Sequence, residues 1–241
     1  MSPAARNPDS QSVALITGAS NGMGRSTALR FMEAGWKILA LDLVKGAPDD
    51  PNCHLLQVDI TDEPALAAGL ASVPEPFRGL KAIINAAGIY PVSNLDTLTV
   101  ELYRRIFDIN VLGTLLVVKH AKDRLADHGA IVNFSSIDAF IAVDNQVLYS
   151  ASKAAVSNAT KTMAMELSPR GIRVNGVAPG WVRTAQNIAN GRMERFLPGV
   201  PLRRAAEPEE IAELVYWLTT GEGSRYITGE TIVTSGGLYM R

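Results

Sequence analysis

The chain has 241 residues, a length that suits one large α/β unit with a substantial buried core. Its 23 basic and 24 acidic side chains leave a net charge of -1, which gives no reason to expect a nucleic-acid or membrane partner. A single cysteine, Cys53, excludes an internal disulfide framework, and with His54, His120 and His128 scattered along the chain it offers no metal-ligand spacing. The reducing cytoplasm is the expected compartment.

The opening "MSPAARNPDSQ" is polar, contains proline and lacks an apolar core, so residues 1–10 read as a loose tail and 11–241 as a single domain. No apolar stretch reaches the roughly 18 residues that span a bilayer. Short apolar, β-branched runs then recur at 13–17, 37–43, 54–59, 81–88, 130–136, 172–180 and 230–237. Helical periodicity fills most of the intervals between them. That alternation implies βαβ crossovers and a doubly wound, mainly parallel sheet of about seven strands, covered on both faces.

"VALIT" (13–17) runs into "TGASNGMGRSTALRFMEAG", where Gly18, Gly22 and Gly24 form a G-x-x-x-G-x-G turn ahead of a helix expected to begin near Gly24. Glycine permits a tight turn and close backbone approach, and a helix N-terminus presents free N–H groups to a pyrophosphate. "KILALDL" (37–43) follows and places Asp42 at its carboxyl end, 24 residues after Gly18. A carboxylate there accepts from both ribose hydroxyls of an adenosine and repels a 2′-phosphate, so the expected cofactor is NAD(H). Neither Leu43 nor Asn21 supplies a base for a 2′-phosphate, although Arg25 and Lys45 are near in sequence. In "QVDITD", Asp59 is a candidate for the adenine amino group or for a helix N-cap, and Thr61 or Asp62 fits the cap better.

Segment 101–125 is expected to be a helix that is apolar around much of its circumference, and 149–167 a helix lined with small residues. Such faces need cover beyond their own sheet, from a second subunit or from a loop. The second helix opens on "YSASK", where Tyr149 and Lys153 stand four apart and share a face. An ammonium beside a phenol favours the phenolate and lowers the tyrosine from its usual pKa of about 10.

Together these segments resemble the short-chain dehydrogenase/reductase family, and the 3-oxoacyl-carrier-protein reductase-like branch in particular, over nearly the whole chain. The matching stretches are "TGASNGMG", Asp42, "DIT", "NAAG" (85–88), "FDINVLGT", "VNFSS", "YSASK" and "PGWVRT" (179–184). The resemblance implies a single-domain Rossmann-like fold and a catalytic set of Asn110, Ser136, Tyr149 and Lys153. Tyr149 would exchange a proton with the substrate oxygen, Lys153 would lower its pKa and hold the nicotinamide ribose, and Asn110 would fix an active-site helix. Ser135 and Ser136 compete for the serine role; the family spacing, 149 minus 136, or 13 residues, selects Ser136. Side chains alternate along a strand, so only one of the two faces the cleft.

For the cofactor, the resemblance implies contacts from Gly18, Asn21, Gly22, Met23 and Gly24, from Asp42 and Leu43, and from Asp59 and Ile60. It adds Asn85, Ala86 and Gly88, then Tyr149 and Lys153, then Gly180, Val182 and Thr184. Tyr90, Asp138, Gln146 and Trp181 are the implied substrate-lining residues, and 184–201 the substrate lid. "NAAG" carries Ala86 in place of the family's second asparagine, and the proline-rich "VKGAPDDPN" implies that a helix after the second strand is truncated or absent.

The expected function is hydride transfer between NAD(H) and a secondary alcohol or ketone of a small molecule, by a homotetramer. Two rivals stay open: an NADPH-dependent 3-oxoacyl thioester reductase, and a non-catalytic NAD(H)-binding sensor or scaffold.

Overall fold

The computed structural model describes residues 12–191 and 193–240. The expected tail at 1–10 lies outside the described residues. Seven strands, β1 (Val13–Thr17), β2 (Lys37–Asp42), β3 (Cys53–Gln57), β4 (Leu80–Asn85), β5 (Leu125–Phe134), β6 (Arg173–Pro179) and β7 (Thr231–Thr234), form one sheet in the order β3-β2-β1-β4-β5-β6-β7. Every adjacent pair is parallel. The Rossmann-like arrangement read from the alternating pattern is therefore the one observed. Between β1 and β4 the order reverses direction, and a crevice opens there at the carboxyl ends of the strands.

β1 is buried along its whole length, and so are the four central residues of β2. Alternation splits these side chains between two cores. Leu15, Leu39, Leu41, Ile83, Ile131 and Val174 pack on one face, and Ile16, Ile38, Ile84, Val132 and Val177 on the other. The first face is covered by α2 (Glu63–Ser72), α4 (Thr114–Ala121) and α5 (Val147–Leu167), the second by α1 (Gly22–Glu33) and α8 (Pro208–Thr220). Burying one such Leu or Ile side chain stabilises the fold by roughly 1.5–3 kcal/mol.

A polar seam crosses this apolar sheet. Asn85 Nδ2 donates to Asn133 Oδ1 (2.9 Å), and Asn133 Nδ2 donates to Thr160 Oγ1 of α5 (2.9 Å).

Local chemistry sets the helix ends. Asp62 caps α2 by accepting from Ala65 N at 3.0 Å, which answers the question left open between Asp59, Thr61 and Asp62. α8 starts at Pro208 with a reciprocal box between Glu207 and Glu210. α1 begins at Gly22, two residues earlier than expected. No helix lies between β2 and β3, as the proline-rich segment implied.

The segment expected as one helix over 101–125 is interrupted. α3 (Val100–Phe107) passes into a π-helical stretch at Asp108–Gly113 before α4 begins, and Leu125 already belongs to β5. Wider turns of this kind shift the phase of the side chains that follow. Asn110 sits within the stretch.

Candidate active site

A cleft of about 430 Å³ occupies the crevice at the point where the strand order reverses. Its floor is the glycine turn, and close packing explains the glycines. Gly18 adopts φ +67°, and a Cβ on it would lie 3.0 Å from Ala87 Cα; a Cβ on Gly24 would lie 2.2 Å from the Gly18 carbonyl oxygen. The side chain of Asn21, at the N-cap of α1, makes no capping hydrogen bond, so the first turn of this 12-residue helix is not closed off by it. Gly18, Asn21, Gly22, Met23 and Gly24 all line the cleft.

Asp42 and Leu43 line the same cleft from the end of β2. The Asp42 carboxylate is held by backbone donors on both oxygens, Ser20 N on Oδ2 at 2.9 Å and Val44 N on Oδ1 at 3.2 Å. Among the described residues that line the cleft there is no lysine or arginine, and neither Arg25 nor Lys45 is one of them. Asp59 and Ile60 line the wall beyond, with Asp59 Oδ1 accepting from both Thr61 N and Thr61 Oγ1.

At the end of β4, Ala86, Ala87 and Gly88 reach the cleft, whereas the Asn85 side chain points into the sheet toward Asn133. The Asn85 side chain is thus engaged within the sheet, and Asn85 is not among the residues that line the cleft. A residue the motif reading passed over anchors this turn: Thr17 Oγ1 accepts from both Ala86 N and Ala87 N. At Gly88 a Cβ would lie 3.2 Å from Asn110 Oδ1 and 3.3 Å from Lys153 Nζ, so glycine lets these two side chains converge.

The four candidate catalytic residues gather behind that glycine. Asn110 accepts from Ile89 N (2.8 Å) and donates to Ile89 O (2.9 Å) and Ser152 Oγ (3.0 Å). Ser152 carries no motif signal beyond being small. Of the two serines, Ser135 Oγ bonds to Lys153 O and Ser157 Oγ inside the protein, while Ser136 faces Tyr149 closely enough to pull its hydroxyl pKa down. Ser136 is therefore the serine that meets the tyrosine. Lys153 is buried and its Nζ donates to Phe134 O at 2.7 Å. Its Nζ lies 5.7 Å from the Tyr149 ring centre.

The electrostatics depart from expectation. Burial, helped by the nearby Asp138 carboxylate, pushes the Tyr149 hydroxyl well above the usual phenol range, against a lowering pull from Ser136. Burial pushes Lys153 down to about 8. Desolvation disfavours both charged forms, and in the protein alone it outweighs the attraction expected between them. The lysine does not by itself make a phenolate of the tyrosine.

The substrate-lining candidates divide. Tyr90 lines the cleft with its ring centre 5.9 Å from that of Tyr149, and Asp138 is close enough to influence the Tyr149 proton. Gln146 is buried at the N-cap of α5, bridged to Ser93, and is not among the cleft-lining residues. Trp181 stacks on Phe196 (centroids 5.3 Å apart) and lines a separate cavity of about 230 Å³ with Val200, Leu202 and Gly236. Of the "PGWVRT" positions, Thr184 reaches the cleft; Gly180 packs on Ser235, and Val182 is buried with its carbonyl accepting from Asn187 Nδ2. The short helix α6 (Ala185–Ala189) follows and brings Ala185, Gln186 and Asn187 to the rim. No group of His, Cys, Asp and Glu among the described residues has metal-site geometry, and no described helix is long and apolar enough to cross a membrane.

Comparison with known proteins places this geometry among oxidoreductases. A family model described as enoyl-(acyl carrier protein) reductase matches residues 18–239. A cis-4-hydroxycyclohexanecarboxylate dehydrogenase of Sinomonas cyclohexanicum is 35% identical, the match covering 93% of this chain and 95% of that protein. A 3-oxoacyl-[acyl-carrier-protein] reductase of Thermotoga maritima is 34% identical over 95% of this chain and 98% of its own. Among solved structures, a short chain dehydrogenase family protein from Francisella tularensis superposes with a TM-score of 0.87 at 28% identity, covering 95% of this chain and 99% of that one.

Proposed function

The chain belongs to the short-chain dehydrogenase/reductase family of oxidoreductases, and from that premise we propose that it transfers a hydride between NAD(H) and a secondary alcohol or ketone of a small molecule. The observation that carries the choice of NAD(H) is Asp42, fixed by Ser20 N and Val44 N in a cleft wall where no lysine or arginine lines the described surface. A 2′-phosphate would meet a carboxylate there and no base. The residues fit the cofactor elsewhere too. The turn has no room for side chains at Gly18 and Gly24 and a positive φ at Gly22, and the N-terminus of α1 suits a pyrophosphate.

When bound, the nicotinamide supplies the hydride donor or acceptor. Tyr149 moves the proton at its hydroxyl to or from the substrate oxygen, with Ser136 hydrogen-bonding at the same place. Because burial keeps Tyr149 protonated at neutral pH, the protein alone is set up as the general acid of ketone reduction. In the oxidative direction the positive charge of an oxidised ring beside Tyr149 would favour the phenolate. Lys153 holds a proton near its own titration range, and Asn110 holds the backbone on which Gly88 and Tyr90 ride.

The exposed apolar side chains Val100, Tyr103, Leu112 and Leu115 on the α3–α4 segment, with Val147 and Met165 on α5, support self-association through these helices, and on that basis we propose a homotetramer of single-domain subunits, with the cytoplasm as its proposed compartment. The rival with its own support is an NADPH-linked 3-oxoacyl thioester reductase, from the likeness to the Thermotoga maritima protein.

One assay separates them: absorbance of reduced nicotinamide with a panel of secondary alcohols, ketones and 3-oxoacyl thioesters, each with either cofactor, beside Tyr149→Phe. Turnover with NAD(H) that falls by roughly 10²-fold or more in the variant supports the reading. Turnover confined to NADP(H) sinks the Asp42 argument. Tight NADH binding with no turnover across the panel moves the case to a sensor.

A further inference from the structure

Tyr90 stands outside the catalytic set, yet its hydroxyl joins a hydrogen-bonded circuit at the cleft rim. It donates to Asn187 Oδ1 at 3.1 Å, and the neighbouring Thr184 side chain lowers its pKa against the upward push of burial. Thr184 Oγ1 in turn accepts from Asn187 N at 3.2 Å, and Asn187 Nδ2 donates to Val182 O at 2.9 Å. Both ends of the Asn187 side-chain amide are thus partnered, Oδ1 by Tyr90 and Nδ2 by Val182 O, which fixes its orientation.

The two ends of the circuit differ in rigidity. Tyr90 follows Ile89, whose N–H and C=O are both held by Asn110, and its ring centre lies 5.9 Å from that of Tyr149. Thr184 and Asn187 belong instead to the start of α6, five residues long and with no buried residue of its own. An element that buries so little is held by specific bonds more than by packing. Tyr90, Thr184 and Asn187 all line the cleft that the proposed cofactor would fill.

We propose that Tyr90 is a positioning residue whose hydroxyl latches α6 to the active-site end of β4, so that the Tyr90–Asn187 bond sets how long the reduced cofactor stays bound. The proposal rests on the hydride-transfer reading for its kinetic half, whereas the latch itself is a property of the protein alone. Tyr90→Phe keeps the ring against Tyr149 and removes only the hydroxyl.

The test combines two readouts on Tyr90→Phe, Asn187→Ala and the double variant. Stopped-flow fluorescence of bound NADH gives the dissociation rate. Limited trypsin digestion of the protein without cofactor gives the rate of cleavage at Arg195, with Arg78, remote from α6, as an internal control. The expected result is a rise of about three- to tenfold in NADH dissociation in each single variant, the loss of roughly one hydrogen bond. The double variant should be no worse than the singles, and KM should rise while kcat is kept or increases. Cleavage at Arg195 should accelerate by a similar factor with cleavage at Arg78 unchanged. Unchanged dissociation and unchanged cleavage in Tyr90→Phe overturn the latch, as does full additivity in the double variant. If the wild type binds no NADH, the cofactor reading fails, and the Arg195 digestion alone then decides for or against the latch.

Discussion

Asn110 grips both polar groups of the Ile89 backbone, accepting from its N–H at 2.8 Å and donating to its carbonyl at 2.9 Å. It does so from a π-helical stretch, with its third hydrogen bond on Ser152 of α5. One side chain therefore ties the exit of β4 to two helices.

Removing that grip should be costly. Asn110→Ala leaves the partly buried N–H and C=O of Ile89 without their partner, at up to about 1–3 kcal/mol for each group stranded. We expect a drop of at least about 2 kcal/mol in urea unfolding, and a fall in kcat exceeding that of any surface variant. Asn110→Asp should rescue neither, because a carboxylate cannot donate to Ile89 O.

Lys153 pays a desolvation penalty that function alone justifies. Its folded value of about 8 lies below the unfolded 10.5. As pH falls from 10.5, the unfolded chain takes up the proton first. Stability should therefore decline across the window from 10.5 to about 8 and level off below it. Lys153→Met should abolish turnover, flatten this slope and raise Tm at pH 7, readable by thermal unfolding at pH 7 and 10.

Cofactor choice should be movable at Asp42. Hydrogen bonds to a charged partner contribute about 1.5–3 kcal/mol, so Asp42→Ala should raise KM for NAD⁺ by roughly tenfold or more. NADP⁺ should improve relative to it, since the repelling carboxylate is gone. Isothermal titration with both dinucleotides checks the sign.

Gly24 admits no side chain. A methyl group there would sit 2.2 Å from the Gly18 carbonyl oxygen, which is backbone and cannot swing aside. Gly24→Ala should lose about 1–3 kcal/mol to overpacking and bind NADH too weakly to saturate. Gly35, whose added Cβ would meet nothing within 4 Å, is the contrast in space, although its φ of +83° still strains an alanine.

The sheet was legible because β1, β2 and β4 are buried on both faces, and a strand in that position needs an unbroken apolar run. Asp42, Ser136, Tyr149 and Lys153 were legible because local spacing fixes which way they face. The break at Asp108–Gly113 was not, since an apolar stretch of helix looks the same whether its turns are regular or widened. Nor was the balance at Tyr149, which depends on its burial and on Asp138, Ser136 and Tyr90 around it and not on the four-residue spacing to Lys153. The motif reading of Trp181 and Gln146 as substrate-lining residues gave no sign of the partners they take in the fold, Phe196 for Trp181 and Ser93 for Gln146.

The amide seam through the sheet has a bearing on folding. Asn85 and Asn133 stand opposite each other in the pairing of β4 with β5, and the three residues before each of them, 82–84 and 130–132, are all hydrocarbon. Hydrocarbon contacts alone tolerate a slide of one strand past the other. A slide would strand two carboxamides in oil without partners, each at a cost of about 1–3 kcal/mol. The pair thus acts as an alignment key: it disfavours mispaired versions of the central sheet, and so fixes where the loops bearing Gly88 and Ser136 emerge.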